Sequence, residues 1–400
     1  MKLTIVGGGN GGIFTALHFA LYTKLYTRKF EDIEIELIYD PDTPVEKVGQ
    51  ATLTPVPELL QHTIGFNWYH NNINATMKSG ILYEGWGKAN DEVFHDFAAD
   101  QMAMHYCPWE MQKAVLNSGW FKVKEGRVDP KEVDADYVFD CRGKPKDFSN
   151  YEELKNPTNA CILGRPKWDT TLAPYSRHVA TPHGWTFVIP THVDSPSHDY
   201  CVGYCYNSRI SSKKDAENNF LEMFDVDITK HLNYRNYVAK KPVIDGRIIL
   251  NGNRLFFLDP LESSSTHTYL TWNRILFDIL ITKRYVKEPY RGEEGNILDP
   301  NKFTMQNAIK DIRTYITQIN NFVLWHYQFG SKYDTRFWRH AKRISKFKDP
   351  LFDEYLNGVK GIEHYTQFPE GLNYGQWALY GLRVWHEGMT KVGFKHLSQR

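Results

Sequence analysis

Gly7, Gly9 and Gly12 stand at Gly-x-Gly-x-x-Gly spacing in KLTIVGGGNGGIFTALHFAL, an arrangement that can hold a pyrophosphate. Gly7 permits a tight turn, Gly9 lets the backbone approach the phosphates, and Gly12 lets a helix pack on a strand; Gly8 and Gly11 complete the cofactor-binding run. The phosphates would then meet the free amides of the helix N-terminus. Asp40, after Tyr39, stands where an acid accepts hydrogen bonds from the adenosine ribose. Two charged residues suit another chemistry, Lys78 in MKSGILY and Glu262 in FFLDPLESSS. A lysine donates as an ammonium and attacks as an amine once desolvation lowers its pKa. A carboxylate stabilises a cation or takes up a proton.

The elements that must position these groups can be read from periodicity. Leu3 to Val6 forms a strand, and Ile13, Ala16, Leu17, Ala20 and Leu21 keep helical spacing behind the glycines. A second strand runs from Ile33 to Tyr39, and a third from Tyr137 to Cys141 closes on Arg142-Gly143. The nucleotide core should use residues 1 to about 60, 105 to 145 and 240 to about 285. HGWTFVIP and YCVGYCYNSRI make the stretch from 150 to 240 strand-rich, with Cys201 and Cys205 on one face of a strand. From Lys302 the apolar spacing of MQNAIKDIRTYITQINNFVLWHYQF is helical. These segments predict a core over residues 1–300 with an inserted substrate region at about 150–240, and a helical cap over 301–400.

Composition narrows the class. The 48 basic and 47 acidic residues leave a net charge of +1, so bulk electrostatics calls for neither nucleic acid nor an anionic membrane. No charged-then-apolar leader and no apolar run near 18 residues is visible, and the five cysteines lack zinc-ligand spacing. The expectation is a cytoplasmic protein with no metal, acting on a small molecule held in a pocket.

Eight segments in order carry a more specific resemblance: GGGNGG, DPDTPVEKVGQATLTPVP, the lysine of MKSGILY, DCRG, GWTFVIP, GYCYNSRI, FLDPLESSS and HYQFGSKYDTRFW. Together they resemble the flavin-dependent halogenases of the tryptophan-halogenase superfamily, including its shorter marine viral branch, for which the setting would be the host cytoplasm. The resemblance implies an α/β flavoprotein with an FAD-binding Rossmann-type core, a strand-rich substrate region and a helical C-terminal cap. It implies that FAD, supplied as FADH2 by a separate reductase, uses O2 and halide to make hypohalous acid for an electron-rich aromatic substrate. Oligomeric state is left open.

Residue by residue, the resemblance places Gln50, Ala51 and Asn253 beside the flavin with the glycines, Tyr39 and Asp40. The amides of Ser264 and Ser265 match the pair that holds halide, while His95, Phe97 and Ser263 face the substrate. Trp185, Phe187 and Pro190 match the wall between flavin and substrate, with Lys78 and Glu262 as catalytic residues beyond it. Four departures stand out: Gln50 for a glutamate, Tyr39-Asp40 for a Glu-Ser pair, Phe187 for a tryptophan, and Ser265 for a glycine able to take positive φ. An aromatic hydroxylase using the same flavin chemistry, or a flavin-binding module without turnover, are the alternatives; the hydroxylase has no reason to require Lys78 and Glu262 together, and the changes at Gln50 and Ser265 keep the module open.

Overall fold

The computed structural model describes residues 1–25, 33–53, 55–69, 71–97, 102–285, 288–291, 297–350, 352–354, 357 and 385–393. Much of the expected cap beyond residue 350 therefore lies outside the described residues.

The nucleotide core is a six-stranded sheet in the order Val243–Ile244, Ile248–Leu250, Tyr137–Asp140, Lys2–Val6, Glu34–Tyr39, Lys122–Glu125. All its pairings are parallel except the edge hairpin of Val243–Ile244 with Ile248–Leu250. Helix Asn10–Leu25 follows the first strand and is buried along most of its length, as a helix packed between sheet and neighbouring helices should be. Beside it lies helix Ser265–Phe277, and a buried amide cluster joins the two: Asn251 Nδ2 donates to Thr15 Oγ1 and to Asn273 Oδ1, both at 2.9 Å. In an apolar core such bonds are costly to leave unmade, so they fix the register of these helices.

A seven-stranded sheet forms the second layer, in the order Val226–Asn233, Ala160–Pro166, Val202–Tyr206, Gly184–Val188, Ser176–Thr181, Gly80–Glu84, Glu92–Asp96. Its last two strands come from outside the 150–240 stretch, so the sheet is not a self-contained insert. The paired strands Thr76–Lys78 and Ala103–Tyr106 lie beside this layer, joined to Gln50–Ala51. Cys205 sits within a strand but Cys201 ends a short helical turn before it, so the two do not share a strand face.

Helix Met305–Phe329 bolts the layers together. Thr304 caps it by accepting from Asn307 N, and Gly330 at φ +71° ends it. Ala308, Ile312, Ile316 and Ile319 face the nucleotide-core cluster, whereas Phe322, Val323 and Tyr327 enter the cluster under the seven-stranded sheet. Among the described residues no helix is long and apolar enough to cross a membrane.

Candidate functional site

The glycine turn has the form its spacing demands. Gly7 has φ +119°, a conformation that L side chains rarely adopt, and a Cβ on it would lie 2.5 Å from Cys141 O. A Cβ on Gly12 would lie 1.8 Å from Gly7 O, and one on Gly11 would lie 2.7 Å from Gly252 Cα, so helix and loop touch through backbone. Gly9 is the exception: a Cβ there meets nothing within 4 Å. Bare backbone facing open space at a helix N-terminus fits a pyrophosphate. The residues present therefore suit the cofactor the sequence implies.

Other nucleotide-side residues are more committed to the protein. Gly8 O accepts from Gln112 Nε2 at 2.7 Å, and Tyr39 donates to Glu125 Oε1 at 2.9 Å. The Asp40 carboxylate accepts from Asp42 N at 3.0 Å, Thr43 Oγ1 at 2.9 Å and Arg127 Nε at 3.0 Å. These hydrogen bonds hold its pKa below the ordinary range, so it stands as an anion at the sheet's edge. Gln50 Nε2 donates to Val48 O at 3.1 Å, Ala51 pairs with His105, and exposed Asn253 accepts from Tyr269 through Oδ1 at 3.0 Å.

The serine turn departs from expectation in one respect. Positive φ falls on Ser263, at +51°, while Ser265 begins a regular helix and Ser264 has φ −79°. A left-handed residue followed by a right-handed one turns successive amides to one side, and the helix start adds its own unpaired N–H groups. The glycine missing at position 265 thus costs no strain there.

Lys78 and Glu262 are brought together in the interior. Lys78 ends strand Thr76–Lys78 with 0% exposure, its Nζ 3.4 Å from Thr52 O and 5.3 Å above the Phe97 ring. Burial drags its pKa down to about 7, against the upward pull of Glu262. Glu262, 1% exposed, ends a turn capped by the Asp259 side chain, which accepts from Leu261 N at 3.1 Å. Its Oε1 accepts from the Tyr83 hydroxyl and lies 2.7 Å from His326 Nε2. The other ring nitrogen, Nδ1, is 2.7 Å from Phe322 O. Burial alone would raise the Glu262 pKa, but His326, His95 and Tyr83 outweigh it and hold the carboxyl at about 2.

Histidines and aromatic rings enclose the pair. His95 is buried on the strand pairing with Ile81, its ring 6.1 Å from that of Phe97, and burial lowers its pKa. His178 is likewise pressed down to about 3 by burial and then by Lys78. Trp385 lies 4.2 Å from Tyr83 and 4.3 Å from His326, ring centre to ring centre, and covers the carboxylate from the C-terminal side.

Trp185 and Phe187 lie on strand Gly184–Val188, and Pro190 follows its end. Trp185 is fully buried and its Nε1 donates to Tyr327 Oη at 2.8 Å; Tyr327 in turn donates to Asp259 Oδ2 at 2.9 Å. Phe187 lies over Gly203, where a Cβ would come 2.1 Å from the ring. Thr76 Oγ1 donates to Pro190 O at 3.0 Å, tying the end of the wall to the Lys78 strand. Sequence reasoning missed Tyr83, His326, Asp259, Tyr327 and Trp385. Only the spacing of Asp259 and Glu262 around a proline turn could have suggested that the former holds the latter.

A family model for tryptophan halogenases matches residues 2–122 and 121–370. The tryptophan 7-halogenase RebH of Lentzea aerocolonigenes is 25% identical over 193 residues, 47% of this chain and 33% of that protein. The tryptophan 6-halogenase ThaL of Streptomyces albogriseolus is 21% identical over 313 residues, 73% of this chain and 54% of that protein. The aligned regions thus span a third to about half the length of these curated relatives. Among solved structures, that of the tryptophan 5-halogenase MibH superposes with a TM-score of 0.76 at 19% identity, over 97% of this chain and 85% of that one. With glycine turn, aromatic wall and buried Lys78–Glu262 cluster in one fold, this chain belongs to the tryptophan halogenase family of flavin-dependent halogenases.

Proposed function

We propose that this chain is an FADH2-dependent halogenase that uses O2 and halide to make hypohalous acid and delivers it through Lys78 to an electron-rich aromatic compound. The observation that carries the reading is the buried pair itself: a lysine and a glutamate, 0% and 1% exposed, with the lysine feeling the charge of the glutamate. Burying two ionisable groups is expensive, and structure alone gives no reason to retain them.

Bound FADH2 would supply two of the four electrons that reduce O2, halide supplying the other two as it rises to the hypohalous level and water leaving as the second product. The chain's residues do the rest. Gly9 leaves room for the pyrophosphate while Gly7 and Gly12 let turn and helix close on the backbone, and the amides of Ser264 and Ser265 hold halide without a cationic side chain. Trp185, Phe187 and Pro190 keep an arene from the flavin. Lys78, with its pKa near 7, presents a large neutral fraction at neutral pH and can carry the halogen as well as orient its donor. Glu262, held anionic at about 2, is a weak base but a strong local negative charge, so stabilising a cationic arene is its main task. His95 and Phe97 are placed to flank the ring.

A separate reductase supplies FADH2, and the cytoplasm is the setting in which the buried cysteines stay reduced. The test is incubation with FAD, a flavin reductase, NADH, O2 and chloride, bromide or iodide in turn, against phenols and indoles, with mass-spectrometric detection. A halogenated product that tracks the halide supplied is expected. Oxygenated product independent of halide would point to the hydroxylase, and bound flavin without product to a binding module.

A further inference from the structure

A cavity of about 1090 Å³ opens between the loops at 153–159, 207–210 and 233–236 and the helix end at 340–346, and neither Lys78, Glu262 nor the glycine turn lines it. Six cationic side chains do: Lys144, Lys155, Arg209, Arg235, Arg343 and Lys346, against the single carboxylate of Glu153. All six are exposed, and among the described residues none is in a salt bridge. Several arginines elsewhere on this nearly neutral chain are matched by carboxylates, as in Arg165 with Asp227 at 3.2 Å, Arg177 with Glu84 at 2.6 Å and Arg254 with Asp140 at 3.1 Å. Arg343 instead reaches His340 Nδ1 at 3.1 Å, and Arg235 lies 4.9 Å over the Phe148 ring. Six like charges around one concavity repel each other and gain nothing for the fold.

The floor is built differently from the rim. Thr158, Asn207 and Asn236 are buried there, and Asn236 Nδ2 donates to Thr158 O at 3.1 Å. Asn156 Nδ2 and Asn236 Oδ1 are buried with no hydrogen-bond partner among the described residues, leaving a donor and an acceptor unsatisfied beneath one cavity. Native interiors seldom leave such groups unmade, and sites that do are candidates for a ligand.

We propose that this cavity binds a small molecule that carries a phosphoryl group on a hydrogen-bonding body, at a site separate from the flavin. A monocarboxylate would answer one of six cations. A phosphoryl dianion offers three acceptor oxygens, and Arg209 and Arg343 can each grip two of them. The amide-rich floor receives the polar body. Occupancy would be felt at the reaction centre, because the Thr158 hydroxyl donates to the Asp259 carboxylate, which caps the turn carrying Glu262 and also takes the bond from Tyr327.

The test uses the full chain saturated with FAD, so that phosphates cannot occupy the glycine turn, titrated by calorimetry at low salt with inorganic pyrophosphate, adenosine monophosphate and glucose 6-phosphate. One saturable site per chain is expected for at least one organic phosphate, with pyrophosphate competing for it. An Arg209→Glu/Arg343→Glu double variant should bind at least about tenfold more weakly while its FAD affinity and melting temperature are unchanged. Both residues are exposed, so the fold should tolerate the change; Lys346→Glu provides a second variant with the same expectation. His340, whose pKa burial and the arginines Arg343 and Arg336 hold low, should titrate higher by NMR when the dianion is bound. No saturable binding, equal affinity in the variants, or binding of pyrophosphate without any organic phosphate would overturn the proposal.

Discussion

The glycine turn and the Lys78–Glu262 interior are built on opposite principles. The turn is backbone, contributed by one stretch of chain, and its working surface is the space beside Gly9. The interior is side chain, gathered from segments as distant as Lys78, His178, Glu262, His326 and Trp385, each buried. A backbone site costs the fold little when empty. An interior of buried charges carries the desolvation cost of each group, so it should be less stable and more sensitive to pH.

Within the turn, neighbouring glycines should differ sharply. Gly12→Val forces a Cβ into a space 1.8 Å from Gly7 O and should cost more than about 4 kcal/mol or abolish folding, read by thermal melting. Gly9→Val meets no protein atom within 4 Å, so its melting curve should match the parent's while FAD affinity, by fluorescence quenching, falls by about 100-fold or more. Loss of folding in the second variant would show that the open space is not a ligand's.

The interior gives the reverse pattern, in which a damaging substitution stabilises. Folding lowers the Lys78 pKa from its unfolded value to about 7, so the folded chain binds fewer protons between pH 7 and about 10 and its stability rises over that window. Below pH 7 the full penalty of burying the lysine applies. Lys78→Met should therefore raise stability at pH 7 by on the order of 1–3 kcal/mol, after allowing for the lost bond to Thr52 O, with the gain shrinking toward pH 10. Destabilisation at every pH would mean that the lysine is structural.

The smallest effect concerns the carrier. If the amine takes the halogen, halogenated product per FADH2 oxidised should rise severalfold from pH 6 to pH 8, through the Lys78 pKa of about 7. A ratio that falls over the same range would favour the ammonium as a hydrogen-bond donor.

The same contrast explains what could be read from the chain alone. Strand, glycines and helix at residues 2–25 are consecutive, and the 25-residue helix from Met305 shows its apolar face as a simple period. Lys78 and Glu262 were found by resemblance, since nothing local distinguishes a buried lysine at a strand end from a solvated one. Their partners were out of reach: Tyr83 reads as an ordinary strand aromatic and His326 as one more residue of an apolar helix face. Each acquires meaning only when the seven-stranded sheet recruits Gly80–Glu84 and the helix passes beneath it. The positive φ falls on Ser263 rather than Ser265 for a similar reason, because the turn begins two residues earlier than the family's glycine suggests.

The central claim is that oxidant made at the flavin acts on the substrate only through Lys78. The direct measurement is a comparison of Lys78→Ala with the parent protein under matched FADH2 oxidation, with free hypohalite scavenged and product counted by mass spectrometry. Unchanged flavin oxidation with halogenated product reduced by about 100-fold or more is the predicted result. Halogenation at the parental level in that variant would contradict the account.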